Sequence, residues 1–320
     1  MIEIDGATGE SGGQIIRTAM TLSAITKKPV HIINIRAGRP NPGLQMQHLT
    51  AVKAVRSVCR GVLEGAELGS KELVFRPGEI IGGKYEFNIG TAGSVTLVAQ
   101  TIIPILLGAG KESELRIIGG THVIKSPGYD YFEKVFVPAI VKFGASIESK
   151  LIRPGYYPKG GGEIEIKIKP SKLTGCESWM QNEDVQVILR LSDLPLPIVI
   201  REKKIFVQNE IEKVFIRRDP ALSPGNAVTA WKGYRGAYVA GEKGKRAEDV
   251  AQEVVGMLNA EKDDVDLHLA DQILIYAVLA EGRTKYKTSN ISDHLETNAT
   301  IIQKFIERKI DIENRTITLD

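Results

Sequence analysis

Gly9-Glu10-Ser11-Gly12-Gly13-Gln14 stands at a junction that this chain makes three times. Before it, residues 1–4 read as a short strand; after it, apolar residues recur at helical spacing over 14–26. A strand over 29–35, a helix over 44–60 and two short strands complete the unit. The order returns as a strand over 85–89, a helix over 94–107, a strand over 114–118, a helix over 131–143 and strands over 146–151 and 163–168. A third pass follows late in the chain: a helix over 269–279, an extended run over 284–288, a helix over 298–308, and strands over 310–312 and 316–319. Repetition on this scale puts equivalent loops at equivalent places. Gly90-Thr91-Ala92-Gly93-Ser94 and His268-Leu269-Ala270-Asp271-Gln272 hold the position of the opening stretch in their own units. The expected fold is therefore α/β (α+β), with a core of three repeated β-α-β-α-β-β units and helices covering the sheets.

The third unit is interrupted before its first helix. A strand over 185–191, a helical stretch after Pro197, strands over 211–216, 227–232 and 236–240 and an amphipathic helix over 247–259 read as a small inserted α/β domain. The expected division is a repeated-unit core over 1–180 and 261–320, with the insertion over 181–260. Arg217-Arg218 and Lys243-Gly244-Lys245-Arg246 in the insertion would suit either RNA contact or a solvated face.

Composition narrows the setting. The 320 residues carry 42 basic and 39 acidic side chains, a formal net charge of +3, which permits an anionic partner without demanding one. Cys59 and Cys176 are far apart and form no CxxC pair, so neither a disulfide framework nor a zinc site is expected. No apolar run approaches membrane-spanning length, and Met1-Ile2-Glu3-Ile4-Asp5 is not a basic-then-apolar signal. The expectation is a cytoplasmic protein without membrane association.

The chemistry concentrates at helix starts. In the first loop Glu10 is the only carboxylate, suited to a hard divalent cation bound to triphosphate, and Arg17 follows about one turn into the helix. Glycines there permit close backbone approach to a ligand, although the loop lacks the lysine and hydroxyl of a P-loop. Arg36 and Arg39 lie in a stiff loop rich in proline and glycine, with Gln47 and His48 on the next helix, an arrangement suited to clamping a phosphate. The stretch 156–162, Tyr-Tyr-Pro-Lys-Gly-Gly-Gly, is a further basic loop to which no role is assigned. In Ser292-Asp293-His294-Leu295-Glu296-Thr297-Asn298, Thr297 or Asn298 reads as the cap of the last helix, which places His294 just outside its N-terminus. Such a position favours phosphate oxygens, and a neutral imidazole there could attack phosphorus. A loop histidine bonded to a backbone carbonyl is the plain alternative.

These motifs, in this order, resemble the RNA 3′-terminal phosphate cyclase family. The resemblance runs through Gly9–Arg17, Ile35–Arg39, Pro42-Gly43-Leu44, Gln47-His48-Leu49, Gly90–Ser94, Tyr157–Gly162, Gly241-Glu242-Lys243, Leu269–Gln272 and His294–Asn298, and so spans almost the whole chain. It implies the architecture of enolpyruvyl transferases, with an inserted domain. It also implies an enzyme, a nucleotidyl-transfer ligase that uses ATP and a divalent metal (Mg2+ or Mn2+) to turn an RNA 3′-phosphate into a 2′,3′-cyclic phosphate, releasing AMP and pyrophosphate. On this resemblance His294 becomes covalently adenylated and Glu10 binds the metal. Gln100, Pro127, His268, Leu269, Ala270, Asp271 and Gln272 form the nucleotide pocket, and Arg17, Arg36, Arg39, Gln47 and His48 lie near RNA or ATP phosphates. His268 departs from the tyrosine that other members can carry. A relative without catalysis serves in ribosome assembly, so an RNA-binding scaffold is the main competing reading, and enolpyruvyl transfer a second; retention of His294, Glu10 and Arg17 favours catalysis.

Overall fold

A computed structural model describes residues 1–179 and 184–320; the expected boundary at 180/181 lies outside the described residues. The first two units are built alike. Ile2–Asp5 pairs in parallel with Val30–Ile33, which pairs antiparallel with Leu73–Arg76, itself antiparallel to Val62–Glu64. In the second unit Lys84–Asn88, Ser113–Gly119, Gly162–Lys169 and Ser146–Arg153 repeat that order and those directions. In the third unit Thr284–Lys287, Thr316–Leu319 and Asp311–Glu313 form the antiparallel part, and the first strand is reduced to a single parallel bridge between Val265 and Thr288.

Alternation sets the faces. Along Ser113–Gly119 and Gly162–Lys169, Leu115, Ile117, Ile164, Ile166 and Ile168 point inward, while Glu114, Arg116, Glu165 and Lys167 face out. The inward faces meet the helices Gly13–Thr26, Met46–Val58, Val95–Leu107 and Asp293–Gln303, which pack on one another in one continuous core. Val95–Leu107 is buried almost throughout and is capped by Ser94, whose hydroxyl accepts from the Leu97 amide.

Residues 186–260 form a separate four-stranded sheet, ordered Lys213–Arg218, Gln186–Ser192, Gly225–Lys232, Arg235–Ala240, with helices Pro197–Gln208 and Ala247–Ala260. Val187, Leu189, Leu191, Phe206, Val228 and Val254 give it its own core. Its other face is covered too: Ile188, Trp231 and Tyr234 join the main core, and Arg190 reaches Asp130. Gly236 lets this sheet close on the 131–135 segment, since a Cβ there would lie 2.6 Å from Val135 and 2.8 Å from Tyr131.

Three expected elements differ. The helix expected over 131–143 contains a π-helical turn, Phe132–Phe136, between the short helices Tyr129–Tyr131 and Val137–Lys142. The helix expected over 269–279 is two, Leu267–Gln272 and Leu274–Leu279, broken at Ile273. The last long helix is Asp293–Gln303 and is capped by Ser292, whose hydroxyl accepts from the Leu295 amide at 3.1 Å. Thr297 and Asn298 are thus inside it, and His294 sits in its first turn rather than outside.

Candidate active site

A cavity of about 990 Å³ opens where the helix starts of all three units meet the inserted sheet. Glu10, Arg17, Arg36, Arg39, Gln47, His48, Gln100, Pro127, His268, Asp271, Gln272 and His294 all line it. Leu269 and Ala270 do not. Their side chains are 0% and 1% exposed in the main core, because the short helix that carries them has one face toward the cavity and one toward the sheet. The Ala270 carbonyl accepts from the Tyr286 hydroxyl at 2.9 Å.

His294 Nε2 lies 3.0 Å from Glu10 Oε2, and Arg39 donates to the same oxygen at 3.1 Å. The glycines make that meeting possible. A Cβ on Gly12 would stand 3.2 Å from the Arg39 guanidinium and 3.9 Å from the His294 ring. One on Gly13 would collide with the His48 ring and lie 3.3 Å from Arg17. Gly9 has φ +54° and a Cβ there would strike Thr297. The helix of His294 is fixed from behind by Asn298, which accepts from Thr18 Oγ1 at 2.6 Å and donates to the Asp271 carbonyl at 3.1 Å. First and third units are therefore tied together one turn behind the imidazole.

Electrostatics favours a neutral imidazole among cations. Burial lowers the His294 value below that of an ordinary histidine, with Glu10 opposing and Arg17 and Arg39 assisting. His48 is pushed down to about 3 by burial and by Arg17 and Arg36. Since its Nδ1 accepts from the Gln45 amide at 3.2 Å, its Nε2 carries the hydrogen, a neutral donor beside Gly13. Arg17 is lowered by burial to about 10, opposed by Asp271, and stays cationic. Burial raises Asp271 to about 7, and Gln14 Nε2 donates to its Oδ2 at 2.8 Å.

The remaining predicted residues are held by short polar links. Gln47 Oε1 accepts from the Ser94 amide at 2.8 Å, joining the second helix of unit one to the first helix of unit two. Gln100 donates to Gln272 at 2.7 Å, and the Pro127 carbonyl accepts from Thr96 at 2.8 Å. Arg36 donates to the carbonyls of Asn41 and Gly43, which folds its own loop. Asp266 caps the helix of His268 and accepts from Tyr131 at 2.8 Å and Gly236 at 2.8 Å. Gln14, Thr18, Lys125, Tyr131, Tyr157, Tyr238 and Lys245 also line the cavity. Gln14 was legible as part of the first motif, and Lys245 belongs to the basic run that would suit RNA contact or a solvated face; Thr18 and Tyr131 lie on core helices, and Lys125, Tyr157 and Tyr238 come from loops and from the insertion, whose docking no periodicity reveals. Cys59 and Cys176 are free and buried. Among the described residues no helix is long and apolar enough to cross a membrane.

The fold and the cavity define a three-repeat α/β protein that gathers an imidazole, a carboxylate and several arginines at converging helix starts. A family model described as RNA 3′-terminal phosphate cyclase matches residues 8–312. A curated protein of that name from Archaeoglobus fulgidus is 41% identical over 328 residues, covering 100% of both chains. Another from Sulfurisphaera tokodaii is 43% identical over 333 residues, covering 98% of this chain and 96% of its own. The chain belongs to the RNA 3′-terminal phosphate cyclase family. Among solved structures, EPSP synthase from Acinetobacter baumannii aligns with a TM-score of 0.45 at 13% identity, covering 99% of this chain and 47% of that one.

Proposed function

We propose that this protein converts an RNA 3′-terminal phosphate to a 2′,3′-cyclic phosphate at the expense of ATP, with His294 as the nucleophile. The observation that carries the reading is the 3.0 Å pairing of His294 with Glu10 in a cavity also lined by Arg17, Arg36 and Arg39. Family membership supplies the reaction class.

The steps balance as follows. An imidazole nitrogen of His294 forms a P–N bond with the α-phosphorus of ATP, the bond to the bridging oxygen breaks, and pyrophosphate leaves. An oxygen of the RNA 3′-phosphate then attacks that phosphorus, the P–N bond breaks, and the histidine is regenerated. The RNA now carries AMP as a leaving group, which the phosphomonoester lacked. Its 2′-hydroxyl attacks the 3′-phosphorus, loses its proton, and expels AMP. Because that hydroxyl is already adjacent, little entropy opposes closure. Arg17 and Arg39 neutralise phosphate charge, and the neutral His48 Nε2–H adds a donor without a second cation.

The nucleotide pocket would lie toward Gln100, Pro127, His268, Asp271 and Gln272. Asp271 suits a hydrogen-bonding role, since a carboxyl raised to about 7 can either donate or accept. Among the described residues no three His, Cys, Asp or Glu side chains gather to hold a metal. Glu10, the carboxylate at the cavity's helix starts, would be the protein ligand of a Mg2+ or Mn2+ ion that arrives with ATP. The ion would supply charge neutralisation at the triphosphate.

The test is direct. Incubation with α-labelled ATP and magnesium or manganese should yield an acid-labile, base-stable protein adduct that is absent from His294→Ala, and a 3′-phosphorylated RNA should then be cyclised. A wild-type protein without adduct overturns the mechanism; an adduct without cyclisation overturns the RNA step.

A further inference from the structure

The loop 156–162 explains a feature that the reaction leaves unused. Among the described residues Tyr157 is the most solvent-exposed large side chain of apolar character, at 79%, yet it lines the cavity. Its neighbour Tyr156 is 4% exposed, packs against His122 with ring centroids 5.6 Å apart, and fills the space a Gly225 side chain would need. The glycines that follow bring the loop tight against three partners. Gly160 and Gly161 have φ +65° and +66°. A Cβ on Gly160 would lie 2.6 Å from the Thr91 carbonyl, one on Gly161 would strike Leu222, and one on Gly162 would lie 2.5 Å from the Gly155 amide. The Lys159 amide also donates to Ser223 at 3.2 Å, tying the loop to the inserted chain. An aromatic ring is thus presented to water on a firmly held base, at an entropic cost already met by the loop.

Its surroundings say what the ring meets. The loop rests on Thr91 and Ala92, next to Ser94, which is bonded to Gln47. Gln47 adjoins His48 in the chain, and Arg36, Arg39 and His48 line the same cavity as Tyr157. Ile124, 54% exposed, and Lys125 line the same cavity. A flat ring and an aliphatic side chain among cations match an unpaired base with its phosphates: the base stacks, the phosphates pair with arginine and lysine, and no base edge is read.

We propose that Tyr157 is the stacking platform for a base of single-stranded RNA at its 3′ end. This rests on the reading of the cavity as an RNA 3′-phosphate site. Stacking accounts for a tyrosine without a partner for most of its surface, and it makes end recognition tolerant of sequence, since every base has a π-face.

The test measures binding apart from chemistry. A 5′-labelled, single-stranded, 3′-phosphorylated oligoribonucleotide is titrated by fluorescence anisotropy without ATP against wild type, Tyr157→Ala, Tyr157→Phe and Tyr157→Trp. The alanine variant should bind between about fivefold and about 150-fold more weakly, the equivalent of ~1–3 kcal/mol per stacked base. Phenylalanine and tryptophan should bind like wild type, and all four should form the His294 adduct from ATP alone at the same rate. Unchanged RNA affinity in Tyr157→Ala overturns the proposal. So does loss of the adduct with RNA affinity intact, which would turn the ring toward the nucleotide, and so does a phenylalanine variant as weak as alanine, which would make the hydroxyl the recognising group. Tyr157-dependent RNA binding by a wild type that forms no adduct sustains the platform and overturns the adenylation reading instead.

Discussion

Glu10 Oε2 serves His294 and Arg39 at once, at 3.0 Å and 3.1 Å. One carboxylate therefore holds the imidazole and the guanidinium in fixed relation to each other, and on the proposed mechanism it would also be the protein ligand of the metal that accompanies ATP. Glu10→Ala should slow adduct formation from ATP by on the order of 10²-fold or more, in the range that positioned catalytic groups contribute. Single-turnover labelling with α-labelled ATP reads that step alone. A Glu10→Ala protein that forms the adduct at the wild-type rate would remove Glu10 from the site.

Gly13 tests the spacing of the site. Its backbone is not in the left-handed region, so alanine is conformationally acceptable there, but the added Cβ collides with the His48 ring and crowds Arg17. Gly13→Ala should lower stability by about 1–3 kcal/mol, the usual effect of overpacking, and depress cyclisation beyond that loss. Urea unfolding alongside steady-state cyclisation separates the two effects. Activity equal to wild type would mean that His48 and Arg17 move without consequence.

The inserted unit is anchored by buried charge. Arg190 donates to both oxygens of Asp130, at 2.9 Å and 2.7 Å, and His122 Nε2 lies 2.9 Å from the same carboxylate. Burial alone would raise Asp130, but these bonds hold it well below the usual carboxylate range. Arg190→Met would leave that charge buried and should destabilise by about 3–5 kcal/mol. Adding Asp130→Asn should restore much of the loss. Because His122 and Asp130 flank the 123–127 loop on the cavity wall, the single variant should also raise KM for ATP.

Glu202 gives a pH signature. It is fully buried, one oxygen has no partner, the other accepts from Asn226 at 3.2 Å, and burial raises its value to about 8 from 4.5. The native state thus keeps a proton that the unfolded chain releases, and stability falls as pH climbs from about 4.5 to about 8. Glu202→Gln keeps the shape without the ionisation. Its Tm should match wild type below about pH 4.5, exceed it increasingly up to about pH 8 and level off beyond; parallel Tm curves would refute the assignment.

Much of this was legible from sequence, for reasons that differ by residue. The repeated order of strands and helices is written in periodicity, so the two complete units were predicted nearly to their ends. His294 could be singled out, but its helix start was misplaced: Ser292 and Thr297 are both acceptable caps, and before Ile301 the buried apolar stripe is carried only by Leu295 and Ala299 among polar residues. Leu269 and Ala270 were read as pocket residues because a motif was taken as a block, whereas a helix sends successive side chains to different faces. Tyr157 was beyond reach, since Tyr156 and Tyr157 are identical in type and only tertiary packing decides which is buried.

The Asn298 bridge to Thr18 and to the Asp271 carbonyl has a temporal consequence. Thr18 and Asn298 are 280 residues apart, so the arginines of the first unit are synthesised well before the helix of His294. A nascent or truncated polypeptide that lacks that helix would carry the arginines without the histidine. On the proposed mechanism, adenylation would wait until the first and third units have met, and the adduct would report on whether they have.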